Sequence, residues 1–293
     1  MLADRISRTQ NQIKSATSPF DLSLQLRCDR MGQTFVAKQY TAYPFRLSNS
    51  FRLDASDRDR AYLYLMNVSP GILANDQLRL LIELENNTQL YLTDQAATKV
   101  HCMPNEQSAQ LNYHFKIAAG ASLEFIPEPL ILYKDSSLHQ STQITLDPQG
   151  QLFLSEIVVP GRIAHQENYQ FRSYQNCLQI TSPESKLLVR DAMRLDGKTN
   201  AFKHHALFSE LPILATAIAV LPNCNLDQFA IEIERFPSNY LNLKTGHTKL
   251  PNCNGILIRA MSDNSSHLQT YIRYLANCAR QMTNFSPLPE VPK

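Results

Sequence analysis

The strongest constraint in this sequence is a hydrophobic period of two. Leu78, Leu80, Ile82 and Leu84 alternate with Arg79, Leu81, Glu83 and Glu85, and the turn pair Asn86-Asn87 follows. Leu111, Tyr113, Phe115 and Ile117 alternate with Asn112, His114 and Lys116 before Ala119-Gly120 ends the run. Successive side chains on a strand point to opposite faces, so this spacing predicts strands rather than helices. Residues 139–146 and 151–159 flank Asp147-Pro148-Gln149-Gly150, read as a hairpin-type turn in which proline presets φ and glycine supplies a positive φ. Further strands are predicted at 186–190, 201–208, 213–221, 229–234 and 256–261. Many strands at hairpin spacing, without strand–helix alternation, predict an all-β, mainly antiparallel architecture.

The exception lies near the end. Leu268, Tyr271, Ile272, Leu275 and Ala279 fall at helical spacing and predict one amphipathic helix near 265–282, capped by Asp263 or Ser265. Residues 286–293 form a Pro-rich tail that cannot continue it. Residues 1–19 read as a mobile N-terminal arm and 20–285 as a single β-rich domain that includes the helix.

Composition narrows the function. Lys and Arg total 28 against 26 for Asp and Glu, which gives no electrostatic case for nucleic acid or an anionic membrane as partner. No apolar run reaches the length of a membrane span, and the first residues carry no signal-peptide pattern. The six cysteines are widely separated, without a C-x-x-C pair, and read as free thiols of a cytoplasmic protein.

Catalytic signatures are missing from the chain. It has no phosphate-binding glycine loop, no G-x-S-x-G elbow, no H-E-x-x-H and no cysteine-pair zinc pattern. His204-His205 would point to opposite faces of a strand and so would not share an ion. His165 and Glu167, two apart, would share a face if that segment is extended. Glu156 is in register with Leu152, Leu154 and Val158, while Phe153, Ile157 and Val159 make the other face apolar too. Such a carboxylate needs an ion partner, hydrogen bonds or a wet cavity, and Arg162 is the partner expected from spacing. Asp76, Glu124, Glu128, Glu156 and Glu167 make a set of carboxylates with a claim to a polar interior path. Hard oxygen ligands of this kind suit a divalent ion in transit better than one in storage.

Four segments, in order, resemble the urease accessory protein UreD (UreH) family. Ser69-Pro70-Gly71-Ile72-Leu73-Ala74-Asn75-Asp76 resembles its Ser-Pro-Gly-Gly segment ending in Gly-Asp. The run from Leu92-Thr93-Asp94-Gln95 to Thr98-Lys99-Val100 is similar to its Thr-Thr-Gln-x-x-Thr-Lys strand. Gly120-Ala121-Ser122-Leu123-Glu124-Phe125-Ile126-Pro127-Glu128-Pro129 resembles Gly-Ala-x-Leu-Glu-Trp-Leu-Pro-Gln-Pro. Glu156 with Gly161-Arg162 and Glu167 resembles Glu-x-x-x-x-Gly-Arg-x-x-x-Gly-Glu. The departures are Ile72, Asn75 and Gln166 for glycines, Phe125 for Trp and Glu128 for Gln. Lost glycines restrict positive φ, so altered loop geometry is expected there.

The resemblance implies an elongated, helically wound β structure with a short C-terminal α-helical part. It implies a non-catalytic scaffold that joins UreF and the GTPase UreG and docks on the urease structural subunits. No cofactor would be tightly bound; nickel would be in transit past Asp76, Glu124, Glu128, Glu156 and Glu167. Thr98 would support the path and Arg162 would orient Glu156. Two other classes remain open from the residues: a β-solenoid carbohydrate-active enzyme using Glu156 and Glu167, and a purely structural interaction protein.

Overall fold

The computed structural model describes residues 18–54, 59–104, 106–197, 205–237 and 242–291. Its strands begin with β1 (Leu22–Cys28), β2 (Thr34–Thr41), β3 (Phe45–Leu47), β4 (Ala61–Asn67), β5 (Gln77–Leu84) and β6 (Gln89–Asp94). There follow β7 (Thr98–Val100), β8 (Ala109–Ile117), β9 (Ser122–Phe125), β10 (Leu130–Leu132), β11 (Ser137–Leu146) and β12 (Gln151–Val159). The last are β13 (Ser173–Thr181), β14 (Leu187–Asp196), β15 (Ile213–Val220), β16 (Leu243–Lys249) and β17 (Gly255–Ser262). They form two facing sheets, one ordered β14-β13-β11-β8-β5-β1-β2 and the other β16-β17-β15-β12-β9-β6-β4-β3, with β7 and β10 branching beside β12.

The chain alternates between the sheets. From β4 to β13 each turn adds a parallel strand to one sheet and then to the other, so β5, β8 and β11 pair in parallel in the first sheet, and β6, β9 and β12 in the second. The helically wound, mostly β architecture with a C-terminal helix is as expected. The antiparallel pairing is not: it is confined to the ends, at β1–β2, β3–β4, β13–β14, β12–β15 and β15–β17–β16. The misreading has a simple cause. A solenoid corner and a hairpin carry the same turn residues and the same period of two.

The corners stack on one another. Asp147 to Gly150 does not join paired strands but carries the chain from β11 in one sheet to β12 in the other. Its N–H groups bond the corner beneath, Asp147 to the Ile117 carbonyl at 2.9 Å and Gln151 to that of Ala121 at 2.8 Å. Gly150 is needed there for space, not for a positive φ: an added Cβ would lie 2.8 Å from Leu146 Cδ1 and 3.1 Å from the Asp147 carbonyl oxygen.

Alternate residues of the strands fill the space between the sheets, among them Leu24, Leu63, Leu80, Leu123, Leu152, Tyr174 and Ile218. Burial of each such side chain contributes on the order of 1.5–3 kcal/mol. The second sheet is covered on its outer face as well, by helix α3 (Ser265–Met282), which explains why β12 is apolar on both sides. Its N-cap is Asn264, which accepts the Ser266 N–H at 2.9 Å, rather than Asp263 or Ser265.

Two predicted strands are helical. Residues 229–234 belong to helix α2 (Leu226–Glu234), which buries Phe229 and Ile233, i and i+4, and leaves Ile231 46% exposed. A strand would have put all three on one face. Of the strand expected at 201–208, residues 201–204, with His204, lie outside the described residues, and helix α1 (Ala206–Glu210) is short and capped by His205. The arm expected at 1–19 lies outside them through residue 17.

Candidate functional site

The second sheet splits beside Glu156. On one side of that residue β9 ends at Phe125, opposite Leu154; on the other β10 begins at Leu130, opposite Val158. The intervening Ile126-Pro127-Glu128-Pro129 leaves the ladder, as prolines without an N–H favour. One turn earlier the chain breaks in the same way between Asp94 of β6 and Thr98 of β7. The two breaks coincide and open a polar gap in an otherwise apolar sandwich.

A cavity of about 50 Å³ occupies this gap, lined by Asp94, Thr98, Glu128, Gln140, Glu156 and Asn176 among others. That volume holds a few waters. A second cavity of about 330 Å³ shares Asp94, Thr98, Leu111 and Tyr113 with it and reaches the Ser69-Pro70-Gly71 loop. A third, of about 320 Å³, shares Pro127, Glu128 and Ser155 with it and lies beside α3. The three form a series through the second sheet, with Glu128 at one joint and Asp94 and Thr98 at the other.

Glu156 is half-buried, its open side facing the cavity. It accepts three hydrogen bonds from the opposite sheet: Gln140 Nε2 at 2.5 Å, Tyr174 Oη at 3.0 Å and Asn176 Nδ2 at 2.6 Å. Burial pushes its carboxyl above the ordinary value, opposed by the bonds from Tyr174 and Gln140 and by the charge of Arg259. Asn176 Oδ1 is buried without a hydrogen-bond partner, so an acceptor oxygen stands beside the carboxylate. Glu128 accepts a hydrogen bond from Gln269 Nε2 of α3 at 2.9 Å.

The other expected residues lie elsewhere. Asp76 closes a turn, its carboxylate accepting the Leu73 N–H at 2.8 Å. Arg162 does not orient Glu156; it grips Glu167 with two hydrogen bonds, one from Nε at 2.8 Å and one from Nη2, and lies 4.7 Å from the Tyr133 ring centroid. That grip holds Glu167 down to about 2. His165 ends a single 3₁₀ turn, so it does not share an extended face with Glu167. Two of the three positions that lack the family's glycines, Asn75 and Gln166, themselves adopt positive φ, 66° and 59°.

Glu124 faces away from the cavity, under α3. It is 4% exposed and takes two hydrogen bonds from Arg280, Nε at 2.8 Å and Nη2 at 2.6 Å. Arg280 Nη1 also reaches Asp54 at 3.0 Å, Nη2 reaches Tyr62 Oη at 2.9 Å, and Tyr62 donates to Asp54 at 2.6 Å. Arg60 completes a neutral set of two acids and two bases, 3.4 Å from Glu124 and 3.7 Å from Asp54. Burial works against the Arg280 charge, but Glu124 outweighs it and raises the guanidinium above its usual value.

Sequence reasoning missed Gln140 and Asn176, opposite each other on β11 and β13. The signal that singled out Glu156, a polar residue in the buried phase of a strand, is present at both. Among the described residues no three His, Cys, Asp or Glu side chains converge on one point, and no helix is long and apolar enough to cross a membrane.

A sequence model of the UreD urease accessory protein family matches residues 21–293. The urease accessory protein UreD of Trichodesmium erythraeum is 46% identical over 93% of this chain and 99% of its own length. Urease accessory protein UreD 2 of Streptomyces griseus is 26% identical over 90% of each chain, and UreD of Bacillus cereus 28% identical over 88% of this chain and 91% of its own. With its split-sheet cavities set in a wound β sandwich, the chain belongs to the UreD urease accessory protein family.

Proposed function

We propose that this protein passes nickel, as cargo, through the cavities around Glu156, between the UreF–UreG GTPase assembly and apo-urease in the cytoplasm. The observation that carries this reading is the series of three cavities: the one that Glu156 lines shares Asp94 and Thr98 with the second and Glu128 with the third. A carboxylate and a free amide oxygen offer the loose oxygen ligation that suits a cation in passage. The carbohydrate-enzyme alternative has no such support: Glu167 is bound to Arg162 and does not line the Glu156 cavity, so the two carboxyls do not flank a common cleft.

The test is complementation. Cells with urease genes but no UreD of their own should recover urease activity with this chain. At limiting nickel, Glu156→Ala should lower nickel incorporation while the variant still co-purifies with UreF. Failure of the wild-type chain to restore urease would end the reading.

A further inference from the structure

Glu156, Thr216 and Arg259 form a straight row on the inner face of the second sheet. Glu156 is opposite Thr216 on β15, and Thr216 is opposite Arg259 on β17. Two strand spacings, about 10 Å, therefore separate the Glu156 and Arg259 backbones. Arg259 is held from two sides. Nη1 donates to Thr216 Oγ1 at 2.7 Å, towards Glu156, while Nη2 donates to both carboxylate oxygens of Asp191 at 2.7 Å. Asp191 is on β14 of the opposite sheet, so the pair spans the sandwich at the wall of the cavity that Asp191 and Thr216 line.

The charges and titratable groups around Glu156 come from several elements: Arg259 on β17, Asp191 on β14, Tyr174 on β13, Tyr113 on β8, Asp94 on β6 and Glu128 in the segment before β10. Arg259 brings a positive charge beside a cavity whose charged lining residues, Asp94, Glu128, Glu156 and Asp191, are all carboxylates. A guanidinium keeps that charge at every physiological pH. Its field reaches Glu156, whose carboxyl it lowers. Beyond it in the row stands Gly246 on β16, where an added Cβ would meet nothing within 4 Å, so the side chain has open space beside it.

We propose that Arg259 is a positioning residue for the cargo: a positive charge tethered by Asp191 and Thr216 that keeps a divalent cation at Glu156 loosely held and ready to leave. The proposal rests on the reading that a cation passes Glu156. Coulomb repulsion scales with the charge of the ion, so a dication feels it twice as strongly as a monocation. The Asp191 tether has a second effect: it keeps the guanidinium from folding onto Glu156 and blocking it.

Equilibrium dialysis of the purified full-length protein against nickel chloride tests this. Arg259→Met should tighten nickel binding by about tenfold or more. Arg259→Lys should restore the wild-type affinity. Asp191→Asn, which frees the guanidinium to approach Glu156, should weaken binding. Arg259→Met with Asp191→Asn should still bind more tightly than wild type. If only the single Arg259→Met variant is tighter, the effect comes from the unmasked Asp191 carboxylate and the proposal is overturned. Unchanged affinity in Arg259→Met overturns it too, and the cation reading survives so long as Glu156→Gln lowers affinity. If Glu156→Gln leaves nickel binding unchanged, the cation reading itself falls, and the role of Arg259 with it. A merely structural Arg259 would give weaker binding on substitution, the opposite sign.

Discussion

Glu124 and Glu156 stand on neighbouring strands of one sheet and point to opposite sides of it. Glu124 is opposite Phe153 on β12, a residue of the helix-facing side, and its carboxylate is clamped by Arg280. Glu156, three residues beyond Phe153 on the same strand, faces the cavity and three neutral donors. One carboxylate is locked in a charge network; the other keeps its ionic valence unspent.

The locked carboxylate should matter for stability. Glu124→Ala removes two of the five hydrogen bonds made by Arg280, a side chain only 1% exposed, and such a loss costs about 3–5 kcal/mol. Urea unfolding followed by circular dichroism should show the midpoint falling accordingly. A change below about 1 kcal/mol would mean that the contacts to Asp54, Tyr62 and the Ser286 carbonyl suffice.

Glu156 should behave in the opposite way. Its folded value is raised from the ordinary 4.5, so the folded state holds the proton more tightly than the unfolded chain. Stability from this group is therefore greatest below 4.5 and declines as pH rises through the raised folded value. Glu156→Gln should remove that slope and be at least as stable as wild type at pH 7, as read from urea midpoints across mildly acidic to neutral pH.

Glu167 carries the reverse sign. Its folded value is depressed to about 2 by Arg162, so it contributes stability above the ordinary 4.5 that is lost as pH falls towards 2. The Arg162 side chain is 44% exposed, and solvent screening keeps the effect small. Glu167→Gln should be less stable than wild type at pH 7, and the difference should shrink on acidification in thermal melts.

The positive-φ positions give a fourth expectation. Gln166 holds φ of 59°, which costs a residue with a Cβ about 1 kcal/mol. Gln166→Gly should raise the stability by up to that amount, net of the greater flexibility of glycine in the unfolded chain. Asn75→Gly should gain less, since asparagine tolerates this region. Thermal unfolding of both variants gives the comparison.

Local spacing revealed the strands at 78–85 and 111–117 and the helix at 265–282, because each buries one face and the sequence repeats at the matching period. It could not decide which strand pairs with which. The corner at Asp147-Pro148-Gln149-Gly150 has hairpin chemistry, yet its flanking strands face each other across the core. Residues 229–234 satisfied both periods, and packing against α3 chose the helical one. In the site, Glu156 is legible as a polar residue in the buried phase of a strand; Gln140 and Asn176, which sequence reasoning missed, carry the same mark. Arg162 pairs with Glu167 and not with Glu156 as spacing suggests, because a 3₁₀ turn brings Glu167 back to it. The Arg280–Asp54 contact joins residues 226 positions apart and leaves no local mark at all.

That last separation also fixes an order of events during synthesis. Asp54 and Glu124 leave the ribosome long before Arg280, which belongs to the final turn of α3, and before Phe285, whose ring lies 4.6 Å from the Arg60 guanidinium. Until the last stretch is translated, the outer side of the second sheet has two acids, one arginine and an uncovered apolar surface. The nascent chain can wind its coils early, but that surface closes only once α3 and Phe285 have been made. A chain cut before α3 would be released with it open to chaperones and proteases.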